Sequence, residues 1–273
     1  MGAAPLYLKW DSYGEFVFDH VWAEVAGKIG VRYYPKCVGA VPFTPVSGYR
    51  FLIHPCQDEV LVSGVMLQAL KRMCRGNGIL SLHFHFVDEA WAGRMESLGL
   101  LRWDHQAFQW THQNFKGFDD YLQGFKSGQR KNIKHERRAL KEQGITVRAL
   151  TGDLVTEEAL TEMHHFYELT NDKYAPWNCK FLNRDFFLRL GDAYRSRLLM
   201  FMACTEKQIP VGASLLVFKG DRLYGRYWGC QGDQPHLHFN LCFYHPIEWA
   251  IHHGIRFFDP GIGAAHKVRR GFE

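Results

Sequence analysis

The chain is 273 residues long, 47% hydrophobic and 22% charged, with a net charge of +5. That is enough for a sizeable core and for two domains of ordinary size, and no stretch approaches the roughly 20 apolar residues a membrane span needs. No charged-then-apolar leader precedes Pro5, which reads against a signal peptide.

The first half alternates strands and helices. Residues 6–10 read as a strand. Residues 19–28 read as a helix capped by Asp19, with Val21, Trp22 and Val25 on its apolar face. Short extended runs follow at 38–43 and 49–53, interrupted by Pro42, Pro45 and Gly48. Residues 57–75 are a helix ended by Gly76 and Gly78, 79–87 a strand, 88–97 a helix capped by Asp88, and 101–111 another strand. His83 and His85 share one strand face, but no Cys or carboxylate at metal spacing accompanies them, which disfavours zinc.

A basic element comes next. Between Lys126 and Lys141 there are seven cations and one anion. Lys126, Arg130, Lys134, Arg137 and Lys141 step by three or four, so they form one stripe of a helix, while Phe125, Ile133 and Leu140 fall on another face. Such a stripe suits an anion: a phosphate, a nucleic-acid backbone or an acidic acceptor. A solvated helix that happens to be basic is the plainer alternative.

The pattern then restarts. Residues 145–150 form a strand, 156–171 and 183–195 two helices, and 198–205, 211–218 and 222–229 three antiparallel strands. Lys219-Gly220-Asp221 is the hairpin turn between the last two. A helix at 239–253 ends at Gly254, and a buried strand at 255–258 leads into Pro260-Gly261. This order resembles the GNAT acyltransferase fold, and the first half looks like a reduced copy of it. The expectation is therefore an α+β chain of two tandem GNAT-like domains with mixed sheets flanked by helices. The first, incomplete, spans 1–117 and the second 118–273.

The seven cysteines, Cys37, Cys56, Cys74, Cys179, Cys204, Cys230 and Cys242, make no C-x-x-C pair and are odd in number. Reduced thiols in a cytoplasmic protein are the reading they favour. Both ends look cut: a strand begins at Ala4 with nothing before it, and the chain stops at Gly271-Phe272-Glu273 without a tail.

Several blocks resemble the FemAB-like predicted N-acyltransferases. These are Tyr34-Pro35-Lys36, Val41-Pro42-Phe43-Thr44-Pro45-Val46 with Gly48, Tyr227-Trp228-Gly229, His238-Phe239, Cys242-Phe243-Tyr244, Ile247-Glu248, and Pro260-Gly261 followed by His266-Lys267 and Arg270-Gly271-Phe272. The resemblance implies transfer of an acyl or aminoacyl group to an amine on an anionic small-molecule or peptide acceptor. It implies aminoacyl-tRNA or acyl-CoA as co-substrate, with tRNA as a partner, and no tightly bound cofactor. The alternative is a non-catalytic, degenerate GNAT pair holding RNA or a cell-wall precursor through the basic helix. Asn240 favours that alternative, because comparable family members carry Glu there; they also carry Gln and Glu near Gly263 and Ala265.

Acyl transfer to an amine needs a polarised carbonyl, a proton acceptor and two substrates held together. GNAT folds supply the first from backbone amides where two central strands splay, which places Tyr227 and Trp228 at the chemistry. His238, Asn240 and Asp259 are the other catalytic candidates. Arg130, Lys134, Trp228, His266 and Lys267 are the substrate-binding ones. No acetyl-CoA pyrophosphate loop is present: Met73-Cys74-Arg75-Gly76-Asn77-Gly78 has the glycines but ends a helix, and Arg226 to Gln231 fails at its last position. That fits a Fem-like donor better than acetyl-CoA. There is no P-loop, G-x-S-x-G or H-E-x-x-H.

Overall fold

The computed structural model describes residues 1–173, 180–263 and 265–273. It divides into two compact units, Met1–Gln106 and Ala107–Glu273. Gly117, placed at the boundary by the sequence pattern, lies inside the second unit and precedes its first helix.

Unit 1 contains β1 (Gly2–Ala3), β2 (Leu6–Lys9), α1 (His20–Lys28), β3 (Lys36–Gly39), β4 (Leu52–Ile53), α2 (Glu59–Gly76), β5 (Ser81–Phe84) and α3 (Glu89–Ser97). Its three-stranded sheet runs β2-β3-β5, antiparallel then parallel, and β1 pairs with β4. Tyr49, Phe51, Leu67, Trp91 and Met95 form its apolar core. Asp58 and Asp88 accept backbone N–H groups at the starts of α2 and α3, as caps do. Asp19 does not cap α1, because its carboxylate is drawn to Lys36 and Tyr33.

The strands of unit 1 are shorter than the sequence pattern suggests. Phe43 and Phe86 adopt positive φ, which breaks the extended runs at 38–43 and 79–87. Of the run 49–53 only Leu52–Ile53 is a strand, and Tyr49 makes a lone bridge to Val87.

Unit 2 contains β6 (Trp110–Thr111), α4 (Phe118–Gln123), α5 (Ser127–Glu142), β7 (Ile145–Thr151), α6 (Glu157–Lys173), α7 (Arg184–Tyr194), β8 (Leu198–Thr205), β9 (Pro210–Lys219) and β10 (Arg222–Cys230). Next comes one continuous helical stretch, α8 (Leu237–Phe239), a π-helical turn (Asn240–Tyr244) and α9 (His245–His252). β11 (Phe257–Asp259) and a terminal 3₁₀ helix (Ala265–Arg270) close the chain. The long strand expected at 101–111 is reduced to β6, which joins the C-terminal sheet by pairing with β11.

The six-stranded sheet runs β6-β11-β10-β9-β8-β7. All neighbours are antiparallel except β10 and β11, which are parallel. β8 and the centre of β9 are apolar and buried almost throughout, as strands covered on both faces must be. This is the tandem GNAT-like, α+β arrangement of mixed sheets flanked by helices.

Two features of the sheet position the site. β11 pairs with β10 only from Arg222 to Tyr224; beyond that point, among the described residues, the β11-facing edge of β10 has no strand partner, and Pro260 and Gly261 lie close against Gly225. A bulge between Gly225 and Tyr227 adds to the departure. At Gly229, α6 crosses so closely that a Cβ would lie 1.9 Å from the Phe166 carbonyl oxygen. Only glycine fits there.

Candidate functional site

The divergent end of β10 carries the richest chemistry in unit 2. Neighbouring strand residues point to opposite faces. Trp228 turns to the face covered by the helical stretch 237–252, where its ring lies 4.5 Å from that of His238. Tyr227 turns to the other face and packs against Tyr167 and Phe187. Tyr227 is half-buried there, and its ring contacts lie apart from the cluster around His238.

His238 also meets Phe239, Phe243 and His266, the last at 6.1 Å between ring centroids. Burial pushes its pKa down to about 4, helped by the positive surroundings of His266, Arg270 and Lys267. It is therefore neutral and only weakly basic at pH 7, with a lone pair that can accept a hydrogen bond. His266 is lowered for the same reason, burial first, and its Nε2 is buried without a hydrogen-bond partner.

Asp259 and Lys267 meet at the turn that follows β11. The Gly261 N–H donates to Asp259 Oδ1 at 2.8 Å, and Lys267 Nζ donates to the Gly261 carbonyl at 2.5 Å. Burial raises the Asp259 pKa, against the Gly261 N–H and the Lys267 charge, while burial lowers that of Lys267. A cavity of about 300 Å³ is lined by Trp228, Thr170, Lys173, Cys230 and the turn at 232–235. Trp228 is shared: it lines the cavity, and its ring meets that of His238 at a tilt of 51°. The volume is at the small end of ligand sites.

Asn240 is buried and committed elsewhere. Its Nδ2 donates to the carbonyls of Glu136 and His236, each at 3.0 Å, so it ties α5 to the start of α8. Glu136 has no counterpart in the sequence reading. Its carboxylate receives Arg270 Nη2 at 3.1 and 3.2 Å and the hydroxyl of Tyr244. Arg270 also donates to Tyr244 Oη at 2.9 Å and to the His266 carbonyl at 3.0 Å, and lies over the Phe239 ring. This buried network fixes the terminal helix, and with it His266 and Lys267, over the end of β11. One signal was available: Glu136 is the single anion among the cations of 126–141, and a lone opposite charge in such a run is a natural partner for a buried cation.

The basic stripe is divided in use. Arg137 turns inward, pairs with Glu248 at 2.5 Å and lies over Phe118. Arg130 donates to the Phe125 carbonyl and Gln123, and Lys134 is exposed, 3.5 Å from Asp119. None of the hydrogen bonds or ion pairs of Arg130 and Lys134 reaches the His238 cluster. Lys126, Lys131 and Lys141 face solvent. The side chain of Ala265 lies outside the described residues, as does Cys179.

The model of the FemAB-like family, described as peptidoglycan biosynthesis/recognition, matches residues 1–273. No curated protein matches the chain by sequence. Solved structures share the fold at low identity. L-PGS from Bacillus licheniformis is 10% identical with a TM-score of 0.53, over 85% of this chain and 66% of that one. The C-terminal domain (DUF2156) of a putative lysylphosphatidylglycerol synthetase from Agrobacterium fabrum is 11% identical with a TM-score of 0.54, over 85% and 66%. A conserved protein of unknown function from Bacteroides thetaiotaomicron is 9% identical with a TM-score of 0.52, over 88% and 76%. The chain thus spans 66% of the length of the first and second of these structures. Among the described residues, no helix is long and apolar enough to cross a membrane.

Proposed function

The chain belongs to the FemAB-like family, and on that premise we propose that it is an N-acyltransferase, moving an acyl or aminoacyl group to an amine on an anionic acceptor such as a peptidoglycan precursor. The observation that carries this reading is the unpaired edge of β10 beyond Tyr224, beside a cavity walled by Trp228 with His238 on the ring.

In this reading the acyl carbonyl lies against the free edge of β10, whose backbone amides stabilise the developing oxyanion. His238, neutral at pH 7 but weakly basic, offers its lone pair to orient the attacking amine, whose proton passes to water. Asp259 and Lys267 hold the Gly261 turn that frames the site. The exposed lysines of α5, with Arg130 and Lys134 beside them, draw the anionic acceptor. Aminoacyl-tRNA or acyl-CoA serves as co-substrate, and the free cysteines Cys37, Cys56, Cys74, Cys204, Cys230 and Cys242 are in keeping with a cytoplasmic setting.

The test is acyl transfer by the full chain, with charged tRNA and acyl-CoA as donors and an amine-bearing cell-wall precursor as acceptor. Turnover that falls at least 100-fold in His238→Ala, with the fold retained, supports the reading; no turnover with either donor class overturns it. The second reading is a non-catalytic binder of RNA or a cell-wall precursor. It draws on the low basicity of His238 and on Asn240, whose amide is fully engaged. RNA binding that weakens steeply with salt, without turnover, would favour it.

A further inference from the structure

The helical stretch that carries His238 contains an irregularity with a cause in the sequence. The His245 N–H donates to the Asn240 carbonyl, five residues back, so the stretch passes through the π-turn at Asn240–Tyr244. In an α-helix that N–H would serve Leu241 instead. In the π register the donor for Leu241 would be residue 246, which is proline and has no N–H. Leu241 is fully buried, and its carbonyl is left without either regular helical donor.

The sheet supplies the donor. Ser214 is buried at the centre of β9, and its Oγ donates to the Leu241 carbonyl at 2.7 Å. Ser214 is also the direct antiparallel partner of Trp228 on β10, so the two side chains stand on the same face of the sheet. The Trp228 ring in turn lies 4.5 Å from that of His238. One hydroxyl thus joins the sheet to the helical turn beside the Trp228–His238 pair.

The His238 ring is held by packing. Its contacts are the rings of Trp228, Phe239, Phe243 and His266. Its direction therefore follows the rotation of the helix backbone that carries it. His238 and Leu241 are three residues apart, about one turn, so they lie on one side of the stretch. A residue inserted as a π-turn rotates the helix before it against the helix after it by roughly 100°, the angle per residue of an α-helix. Asn240 ties the start of the stretch to α5, and Ser214 is the tie from the sheet.

We propose that Ser214 is a positioning residue: its hydroxyl pins the π-turn at Leu241 to β9 and so sets the direction in which His238 presents its ring beside Trp228. The consequence for turnover rests on the acyltransfer reading; the effect on His238 stands without it. Once the hydroxyl is removed, the Leu241 carbonyl is a buried acceptor with no donor, an unfavourable state that the chain relieves by moving. The nearest replacement is the His245 N–H. Taking it from Asn240 shifts the π-turn and rotates His238 off Trp228.

The experiment follows the histidine ring signals of the full chain, labelled with ¹³C,¹⁵N-histidine, in Ser214→Ala, Ser214→Thr and Met163→Ala. Met163 is buried in α6 and serves as the packing control. Ser214→Ala should lose the NOEs between His238 and Trp228 and the ring-current displacement of the His238 signals. Ser214→Thr, which keeps a hydroxyl, and Met163→Ala should retain both. In the acyl-transfer assay Ser214→Ala should lower kcat at least about tenfold with KM within about twofold, the mark of a misdirected group and not of lost binding. If Ser214→Ala does not fold, Ser214→Cys, with only a weak S–H donor, is read in its place. His238 signals unchanged in a folded Ser214→Ala, or displaced equally in Ser214→Thr or Met163→Ala, would each overturn the proposal. Wild-type turnover in a folded Ser214→Ala would also overturn it and leave the acyltransfer reading intact. Displaced His238 signals in Ser214→Ala, with no acyl transfer by the unaltered chain from any donor, would leave the positioning role standing and sink the acyltransfer reading instead.

Discussion

Replacing Asn240 with Glu probes whether this position is a missing catalytic carboxylate or a structural clip. Asn240 is 1% exposed, and its amide satisfies two buried carbonyls, those of Glu136 and His236, at 3.0 Å each. A glutamate supplies no donor when ionised, and both carbonyls lose theirs. An orphaned buried polar group costs about 1–3 kcal/mol, so two give about 2–6 kcal/mol. The new carboxylate is also desolvated and set beside two carbonyl oxygens, which raises its pKa. The variant should therefore be destabilised by about 4 kcal/mol at pH 8, more than Asn240→Leu, which loses the bonds but buries no charge. A carboxyl with a raised folded-state pKa binds protons more readily in the folded state than in the unfolded one. The penalty relative to wild type should thus shrink as pH falls through that raised value. Native-state hydrogen exchange of β10 and α9 amides reports the stability of this region directly. An Asn240→Glu chain within about 0.5 kcal/mol of wild type at pH 8 would refute the clip.

Other perturbations follow from the same packing. Gly229→Ala should cost at least 1–3 kcal/mol, about the price of overpacking, since its Cβ would press on the Phe166 carbonyl; thermal unfolding checks it, and a neutral result would mean that α6 shifts freely. Arg137→Ala should lose about 1–2 kcal/mol through the part-exposed Glu248 pair and the Phe118 contact, whereas Lys134→Ala, exposed and 3.5 Å from Asp119, should stay within about 0.5 kcal/mol. His238 and His245 are both held near pKa 4, chiefly by burial. Their unfolded forms take up protons near pH 6.5, so folding stability should be intact above that pH and fall as pH drops toward 4, by roughly 1–3 kcal/mol for each. Urea unfolding across that range, with the histidine signals followed by NMR, gives both the slope and the assignment.

Much of the frame was written in the chain itself. Helical spacing, the capping aspartate at 88, and the Lys219-Gly220-Asp221 turn specify α2, α3 and the β9–β10 hairpin by local rules. The apolar runs of β8 and β9 mark the buried sheet without any partner being known. Trp228, His238, Asp259 and Lys267 could each be singled out from blocks next to strand ends, but that Trp228 meets His238 and that Asp259 and Lys267 share the Gly261 turn came only from the folded chain.

Tertiary structure alone decided where polar side chains face and what they meet. Glu136 meets Arg270 across 134 residues, and Lys36 meets Ser12, Glu15 and Asp19 across a loop of irregular conformation. Asp19 looks like a cap in one dimension and is an ion-pair partner in three. Tyr227 and Trp228 are adjacent letters on opposite faces of one sheet. Periodicity encodes which side of an element is apolar, because burial there is non-directional and additive over neighbours. A hydrogen bond or ion pair is satisfied at one distance and one angle by one partner, and only the folded chain brings that partner into reach.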